Sequence, residues 1–358
     1  MQPNLASIAR QFFQIEHWHG AAPVGNGHIN DTYRIDFQAN GRRQAFVLQR
    51  LNHHIFRQPE AVMSNWQAVA QHLAAADFRL KIPVPVPTLG GQLLHIEVEN
   101  RAPVHSSSLV PHPSYWRVFP FFENTFAPEN AATPALAFEA ARAYGLFVRA
   151  LSGFPAGSLA EVIPGFHDTD QRWRVFEEIL AENPANRLEN ARAEVAEMLA
   201  ARPIFQKISQ MKTAGALPLR VTHNDTKAGN VLLDRDTGRA VAVIDWDTVM
   251  PGTVLSDFGD MVRSFAPDRP ENDPDTANLS LRHDVMAAMR EGFLSETAGF
   301  LTEMEREHLD LGGLWIVGEQ ALRFLTDYLA GDVYYKVAHP ELNLTRARNQ
   351  LALLARLS

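Results

Sequence analysis

Between Pro23 and about Val98, apolar and polar side chains alternate in short runs, the period expected of strands with one buried face. Thr32-Tyr33-Arg34-Ile35-Asp36-Phe37 and Ala45-Phe46-Val47-Leu48-Gln49-Arg50-Leu51 carry this pattern most clearly. A helical spacing interrupts it from Pro59 to about Ala76, with Pro59 in the first turn, where a missing N–H costs nothing. Pro83, Pro85 and Pro87 alternate with apolar residues and predict an extended stretch. Gly90-Gly91 predicts a hairpin turn between two further strands.

After Phe122 the texture changes. Helical spacing dominates over 134–152, 170–182, 187–211, 279–298, 302–331 and 343–356, with one strand-rich island near 220–247. The pattern predicts an α+β protein of two lobes: a β-rich lobe over 1–122, a connector near Arg117 to Asn124, and a larger α-rich lobe over 123–358. A chain of 358 residues is too long for one ordinary core, which agrees with that division.

Composition narrows the partners. The net charge of −8 argues against nucleic acid, whose phosphates require a basic face. The absence of cysteine excludes disulfides, thiolate metal sites and cysteine nucleophiles, and it fits a reducing cytoplasm. Met1 to Arg10 has no apolar core of signal-peptide length, and no run of eighteen apolar residues predicts a membrane span. A cytoplasmic protein, monomeric or weakly homo-oligomeric, is expected.

The island carries the chemistry. It reads Val221-Thr222-His223-Asn224-Asp225-Thr226-Lys227-Ala228-Gly229-Asn230, running into Val231-Leu232-Leu233. Phosphoryl transfer needs a carboxylate that orients and deprotonates the attacking hydroxyl, and an amide oxygen for Mg²⁺. A tight loop with Asp225 and then Asn230 presents both to one cleft. Alone, the string is a weak signal that reads more often as a plain turn.

The next segment changes that reading. Val241-Ala242-Val243-Ile244-Asp245-Trp246-Asp247 is an apolar strand ending in a carboxylate, and Asp234 to Gly238 supplies turn chemistry before it. Val231–Leu233 and Ala240–Ile244 should therefore pair as a hairpin, bringing the Asp225/Asn230 loop and Asp245 to one end. Hard oxygen donors of this kind suit Mg²⁺. Asp257-Phe258-Gly259 looks like the metal-binding triplet of kinases but follows no apolar strand. It lies beyond Pro251 and Gly252, in a loop entering a helix, so Asp257 should hold backbone amides or cap that helix.

The order His223-Asn224-Asp225, Asn230, Ile244-Asp245-Trp246-Asp247 and then Asp257 resembles the aminoglycoside phosphotransferase/choline kinase family. Within it, the N-acetylhexosamine 1-kinase type is similar over nearly the whole chain. The matching segments are Gly25-Asn26-Gly27-His28-Ile29-Asn30-Asp31-Thr32-Tyr33, Leu48-Gln49-Arg50-Leu51-Asn52, Asp247-Thr248-Val249-Met250-Pro251-Gly252, and Arg323 through Asp332. The resemblance implies a protein-kinase-like bilobal fold. It also implies an ATP- and Mg²⁺-dependent kinase acting on a small molecule, at the anomeric hydroxyl of an N-acetylhexosamine.

By the same resemblance Asp225 is the catalytic base, Asn230 and Asp245 hold Mg²⁺, and Lys227 lies near the γ-phosphate. Relatives carry His at the last position, and the Lys here matches the Asp-x-Lys of protein kinases. A solvated surface lysine is its other reading. His223 is expected to orient the loop from the core. Gly25 and Gly27 supply flexible backbone for the phosphates, or a simple hairpin turn.

The strand that normally provides a phosphate-gripping Lys offers Gln49 and Arg50, on opposite faces. Arg50 is preferred for its charge, with Glu60 on the following helix as its acidic partner; the two read equally as an exposed ion pair. For the acceptor, the resemblance points to His28, Arg323, Asp327 and Tyr334. Arg323 and Asp327 are four apart on one predicted helix, which also suits an intrahelical ion pair.

Three other readings remain open on sequence. One is a kinase of another small alcohol, such as an aminoglycoside, choline, a hydroxy amino acid or another sugar. The second uses GTP as donor. The third is a non-catalytic ATP-binding module, suggested by the missing strand lysine. A sulfatase-type hydrolase lacks its Cys- or Ser-x-Pro-x-Arg segment here, no His-Glu-x-x-His occurs, and no Ala-Pro-Glu segment points to a protein kinase.

Overall fold

A computed structural model describes residues 3–25, 29–101 and 110–358. The predicted site residues Gly27 and His28 lie outside the described residues. The chain begins with a short helix, α1 (Leu5–Ala9), then β1 (His17–Pro23), β2 (Asp31–Ala39) and β3 (Arg42–Leu51). Helix α2 (Pro59–Ala75) follows, and β4 (His95–Arg101) and β5 (Val110–Pro120) complete an antiparallel five-stranded sheet in the order β1-β2-β3-β5-β4. One face of β2 and β3 buries Ile35, Phe37, Ala39 and Leu48 with Trp116 and Val118 of β5, and α1 closes this small core with Ile8 and Phe12.

β1 is absent from the sequence reading for a physical reason. It is an edge strand with mostly exposed side chains, ends in Pro23, and carries a bulge between Trp18 and Gly20, so its alternation is weak. The turn at Gly90-Gly91 closes Thr88 onto Gln92. However, the segment before it meets the sheet through one bridge, Val86 to Val118, and β4 pairs with β5 instead.

The rest is mainly helical: α3 (Pro134–Ala150), α4 (Thr169–Glu182), α5 (Arg192–Ala200), α6 (Arg202–Thr213), α7 (Val254–Phe265), α8 (His283–Thr297), α9 (Glu303–Glu307), α10 (Leu309–Ala330) and α11 (Leu342–Leu357). The single helix expected over 187–211 divides at Ala201, because Pro203 in the first turn of α6 cannot continue the preceding ladder. The one expected over 302–331 divides at His308, between α9 and α10. Helix α7 begins earlier than the sequence suggests. Its apolar residues Val254, Leu255, Phe258, Met261, Val262 and Phe265 recur at helical spacing, and its polar face of Ser256, Asp257 and Asp260 is buried as well, against the loop that begins at His223.

The island folds as expected. β8 (Val231–Asp234) and β9 (Ala240–Val243) form an antiparallel hairpin, joined at its edge by β6 (Thr125–Phe126). β7 (Arg220–Thr222) pairs separately with β10 (Met250–Gly252). Helix α2 lies between β3 and β4 in the chain, yet Met63, Trp66, Val69 and Leu73 sit in the same core as α3, α7 and α10. Asn65 of α2 donates to the carbonyls of Ala160 and Val249, and the Lys81 N–H donates to Val241 of β9. No helix among the described residues is long and apolar enough to cross a membrane.

Candidate active site

The loop from His223 to Asn230 is held almost atom by atom. Asp257, in the first turn of α7, accepts the backbone N–H of His223 (2.9 Å) and of Asn224 (2.7 Å). Asp260, one turn on, accepts the N–H of Thr226 at 2.7 Å. From α3 the Tyr144 hydroxyl donates to the carbonyl of Lys227, and the Thr248 hydroxyl donates to that of His223, both at 2.7 Å. Asn224 takes a left-handed φ of 60°, which Asn tolerates better than most residues. Two carboxylates three apart on a helix lie on one face, and the whole of α7 turns that face to the loop.

Asp257 therefore holds backbone amides as the sequence suggested, but from within a helix and not from a loop. Burial pushes its carboxyl up to about 7 despite the two amide donors, with Asp260 adding to the rise. Gly259 of the same triplet serves packing. A Cβ there would fall 2.2 Å from the Gly312 carbonyl oxygen, so its absence lets α7 and α10 cross in contact.

His223 is fully buried, packs edge-on against Tyr144 and Phe147, and faces the Ile244 carbonyl through Nε2 at 3.0 Å. Burial lowers its pKa, as befits a ring that orients the loop.

At the open side of the loop three predicted residues meet. Lys227 Nζ lies 2.8 Å from Asp225 Oδ2, and the Asn230 amide donates to the same oxygen at 2.8 Å. Burial pushes the Asp225 carboxyl up, and Lys227 more than offsets it, with His223 and Asn230 assisting, so it lies below the usual carboxylate range. The Lys227 ammonium, drawn down by burial, is raised on balance by Asp225 and Asp245. Asp245 joins this group from the hairpin, where the Ile244 N–H donates to the Asn230 carbonyl at 2.9 Å. It adopts a left-handed backbone, φ 60°, at the start of a tight 3-10 turn over Trp246–Thr248.

The oxygen donors here suit a hard divalent cation. The Asp245 carboxylate and the Asn230 amide oxygen take no hydrogen bond from the described residues, whereas the Asp247 carboxylate is already met by the Arg117 guanidinium at 2.6 Å. Burial pushes Asp245 up to about 7, with the charges of Asp247 and Asp225 adding to it. A bound cation relieves such an accumulation of negative charge. No group of three or more His, Asp or Glu with metal-holding geometry occurs among the described residues.

Other predicted residues stand elsewhere. Gly25 has φ 80° in the turn between β1 and β2, a conformation that glycine adopts without penalty. Arg50 does not pair with Glu60. It lies directly across from Asp31 in the β2–β3 register and pairs with it, over the Trp116 ring. Glu60 stays exposed in the first turn of α2, where a carboxylate favours the helix N-terminus.

Arg323 does not pair with Asp327. Its guanidinium packs 5.6–5.9 Å from the rings of Phe166, Tyr334 and Tyr335 and donates to Gln320 at 3.1 Å. Asp327 is buried with its oxygens spent on the N–H groups of Tyr334 and Tyr335 and on Asn343, so it shapes the aromatic wall from behind. Tyr334 is 63% exposed at the rim of this cluster.

Behind the cluster, Glu319 meets the His167 ring at 2.7 Å and Arg172 at 3.4 Å. Burial pushes its carboxyl up, but His167 and then Arg172 and Arg323 bring it down to about 2. The residues the sequence reading missed are Arg117, Asp247, Asn30, Tyr144 and Asp260. A lone Arg inside the apolar run Tyr115-Trp116-Arg117-Val118-Phe119 was the available sign of a buried, paired charge. The three-residue spacing of Asp257 and Asp260 in an apolar helix was another.

The sequence profile of the phosphotransferase enzyme family matches residues 20–291. The chain belongs to this family. Solved members of similar shape include a spectinomycin phosphotransferase in complex with ADP and spectinomycin (13% identity, 99% of each chain covered, TM-score 0.61). A choline kinase from Cryptosporidium parvum (12% identity, 99% of this chain and 95% of the other, TM-score 0.59) is similar too. So is the GDP complex of an aminoglycoside 2′-phosphotransferase (13% identity, 99% and 98%, TM-score 0.56). At these identities the likeness is one of fold: a kinase-like bilobal α+β architecture, with family membership making the chain a small-molecule phosphotransferase.

Proposed function

We propose that the chain transfers the γ-phosphoryl of ATP to a hydroxyl of a small amino sugar, most specifically the anomeric hydroxyl of an N-acetylhexosamine. The observation that carries this reading is the meeting of Asp225, Lys227 and Asn230 at one loop with Asp245 beside them.

In this reading the lobe over 1–122 covers the nucleotide, with Gly25 in the turn above the phosphates, and the lobe over 123–358 holds the acceptor. Asp225 accepts the proton of the attacking hydroxyl, its position fixed by the amide of Asn230 and the ammonium of Lys227. The residual cationic donors of Lys227 face the charge that develops on the transferring group. Asp245 and the Asn230 amide oxygen would hold Mg²⁺, which would supply positive charge to neutralise the phosphates. Rings and a cation around Arg323, Tyr334 and Phe166 suit the apolar face and the hydroxyls of a sugar.

The test is nucleotide-diphosphate release from ATP or GTP with N-acetylglucosamine, N-acetylgalactosamine, aminoglycosides, choline and hydroxy amino acids, followed by NMR of the phosphorylated carbon. Release with an N-acetylhexosamine is expected, with the phosphate on its anomeric oxygen and seen by phosphorus coupling to C1. Release with only a non-sugar alcohol would sink the sugar assignment and keep the kinase. Nucleotide binding with no release from any acceptor would make the chain a non-catalytic binding module.

A further inference from the structure

The cation expected on β3 is missing, yet a buried cation stands one strand away. Arg117 of β5 is fully buried, and its register partner on β3 is Gln49. Arg50 and its partner Asp31 occupy the other face, so Gln49 turns inward. Its oxygen accepts from Arg117 Nε at 2.9 Å, and its amide donates to Thr32. The guanidinium lies about equally far from the rings of Trp66 (5.0 Å) and Phe119 (5.1 Å).

Its charge is met by Asp247, which belongs to the other lobe. Arg117 Nη2 sits 2.6 and 2.7 Å from the two carboxylate oxygens. The same carboxylate receives a second donor, Asn30 Nδ2, at 2.7 Å. The Asn30 oxygen in turn accepts the Asn52 N–H at 2.9 Å, and Asn52 donates to the Ile29 carbonyl. One acid therefore gathers β3, β5, the chain just past the glycine turn, and the 3-10 turn that carries Asp245. Only Trp246 separates Asp245 from Asp247, and its ring stacks on Trp66 at 5.4 Å.

A buried ion pair is a poor way to gain stability, since an apolar pair of the same volume holds two surfaces together as well or better. What it offers is a fixed orientation, because the bonds of a guanidinium fork and a carboxylate are directional. We propose that Arg117, Asp247 and Asn30 form an interlobe latch that sets the glycine turn and Asp245 in register. It takes the place of the strand-cation and helix-carboxylate pair that kinases use. This rests on the reading of Asp245 as a ligand of the metal–nucleotide complex. Arg117 is fully buried and acts through Asp247, so it and Asn30 are positioning residues.

The test uses the full chain with Asn30→Ala, Arg117→Lys and the paired Arg117→Gln/Asp247→Asn. Melting temperature, calorimetric affinity for ADP with Mg²⁺ and with chelator, and the KM for each substrate are measured. Arg117→Lys keeps the charge but loses the fork that reaches Gln49 and Asp247 together. Asn30 is half-buried, so its variant keeps the test available if the Arg117 variants do not fold.

The expected result is a rise of about tenfold or more in the KM for Mg²⁺-nucleotide in Asn30→Ala and Arg117→Lys, with the acceptor KM and chelator-treated ADP affinity little changed. Folded variants with a wild-type KM for Mg²⁺-nucleotide overturn the latch. Equal loss for both substrates together with a lowered melting temperature also overturns it, by making the pair a structural contact. Wild-type protein without affinity for nucleotide overturns the kinase reading itself, and that outcome is visible before any variant is made.

Discussion

Lys227 Nζ and Asp225 Oδ2 lie 2.8 Å apart on a loop whose backbone is bonded to side chains of α3 and α7 at His223, Asn224, Thr226 and Lys227. The pair cannot drift without unmaking those bonds. Asp225→Asn should lower kcat by about 10²–10⁴-fold while leaving nucleotide affinity nearly intact, because the amide fills the same space but takes no proton. Lys227→Met should cost about 10²–10³-fold in kcat. Steady-state kinetics with calorimetry separates the two effects, and an Asp225→Asn enzyme with wild-type kcat would remove it from the base role.

Arg323 meets rings on three sides and no carboxylate partner among the described residues. Arg323→Ala should raise the acceptor KM by about tenfold or more, as expected for loss of a charged hydrogen-bond donor, and leave the nucleotide KM unchanged. Acceptor saturation curves at fixed nucleotide give the answer. A change confined to the nucleotide KM would place Arg323 outside the acceptor site.

Glu319 makes stability depend on acid. Its carboxyl, down to about 2 in the folded protein from an ordinary 4.5, binds fewer protons than in the unfolded chain. The stabilisation it contributes is complete above about pH 4.5 and is lost as pH falls from there towards 2, and it amounts to about 3 kcal/mol. Glu319→Gln should thus lower the unfolding free energy at neutral pH by about that amount, with the gap closing near pH 2. Urea titrations over that range measure it. A gap that stays constant with pH would mean the carboxylate is not held low.

The crossing of α7 and α10 tolerates no side chain at its centre. A Cβ on Gly259 would sit 2.2 Å from the Gly312 carbonyl oxygen, and one on Gly312 would sit 2.4 Å from that of Leu255. Either Gly→Ala change should destabilise by about 1–3 kcal/mol, since backbone atoms cannot step aside as a flexible side chain would. Gly153→Ala, with nothing within 4 Å of its Cβ, is the control for urea unfolding. An unfolding midpoint at Gly259→Ala equal to that of the control would refute the close crossing.

Much of the fold is legible where one face of an element is wet. The alternation at Thr32–Phe37 and Ala45–Leu51 marks β2 and β3, and Pro59 marks the start of α2. Legibility fails where burial is complete or nearly absent. Helix α7 buries its polar face along with its apolar one, and Asp257 behind Pro251-Gly252 reads as a loop residue, so its start is hidden; β1, with mostly exposed side chains, shows no clear period. At the site, the Asp225–Asn230 spacing and the Asp245 strand end stand out because loop chemistry and strand chemistry adjoin. Arg117 and Asp247 do not, because 130 residues separate them and no local rule joins a strand cation to a distant acid. Arg50 misleads for the complementary reason: its partner Asp31 is local only once β2 and β3 are aligned.

Helix α2, read along the chain, belongs to the first lobe, yet Trp66, Val69 and Leu73 are sealed into the core of the second. The consequence is mechanical. Trp66 is clamped between Phe119 of the sheet at 4.4 Å and Trp246 at 5.4 Å, so parting the sheet from the β8–β9 side would have to break one of two stacked ring contacts.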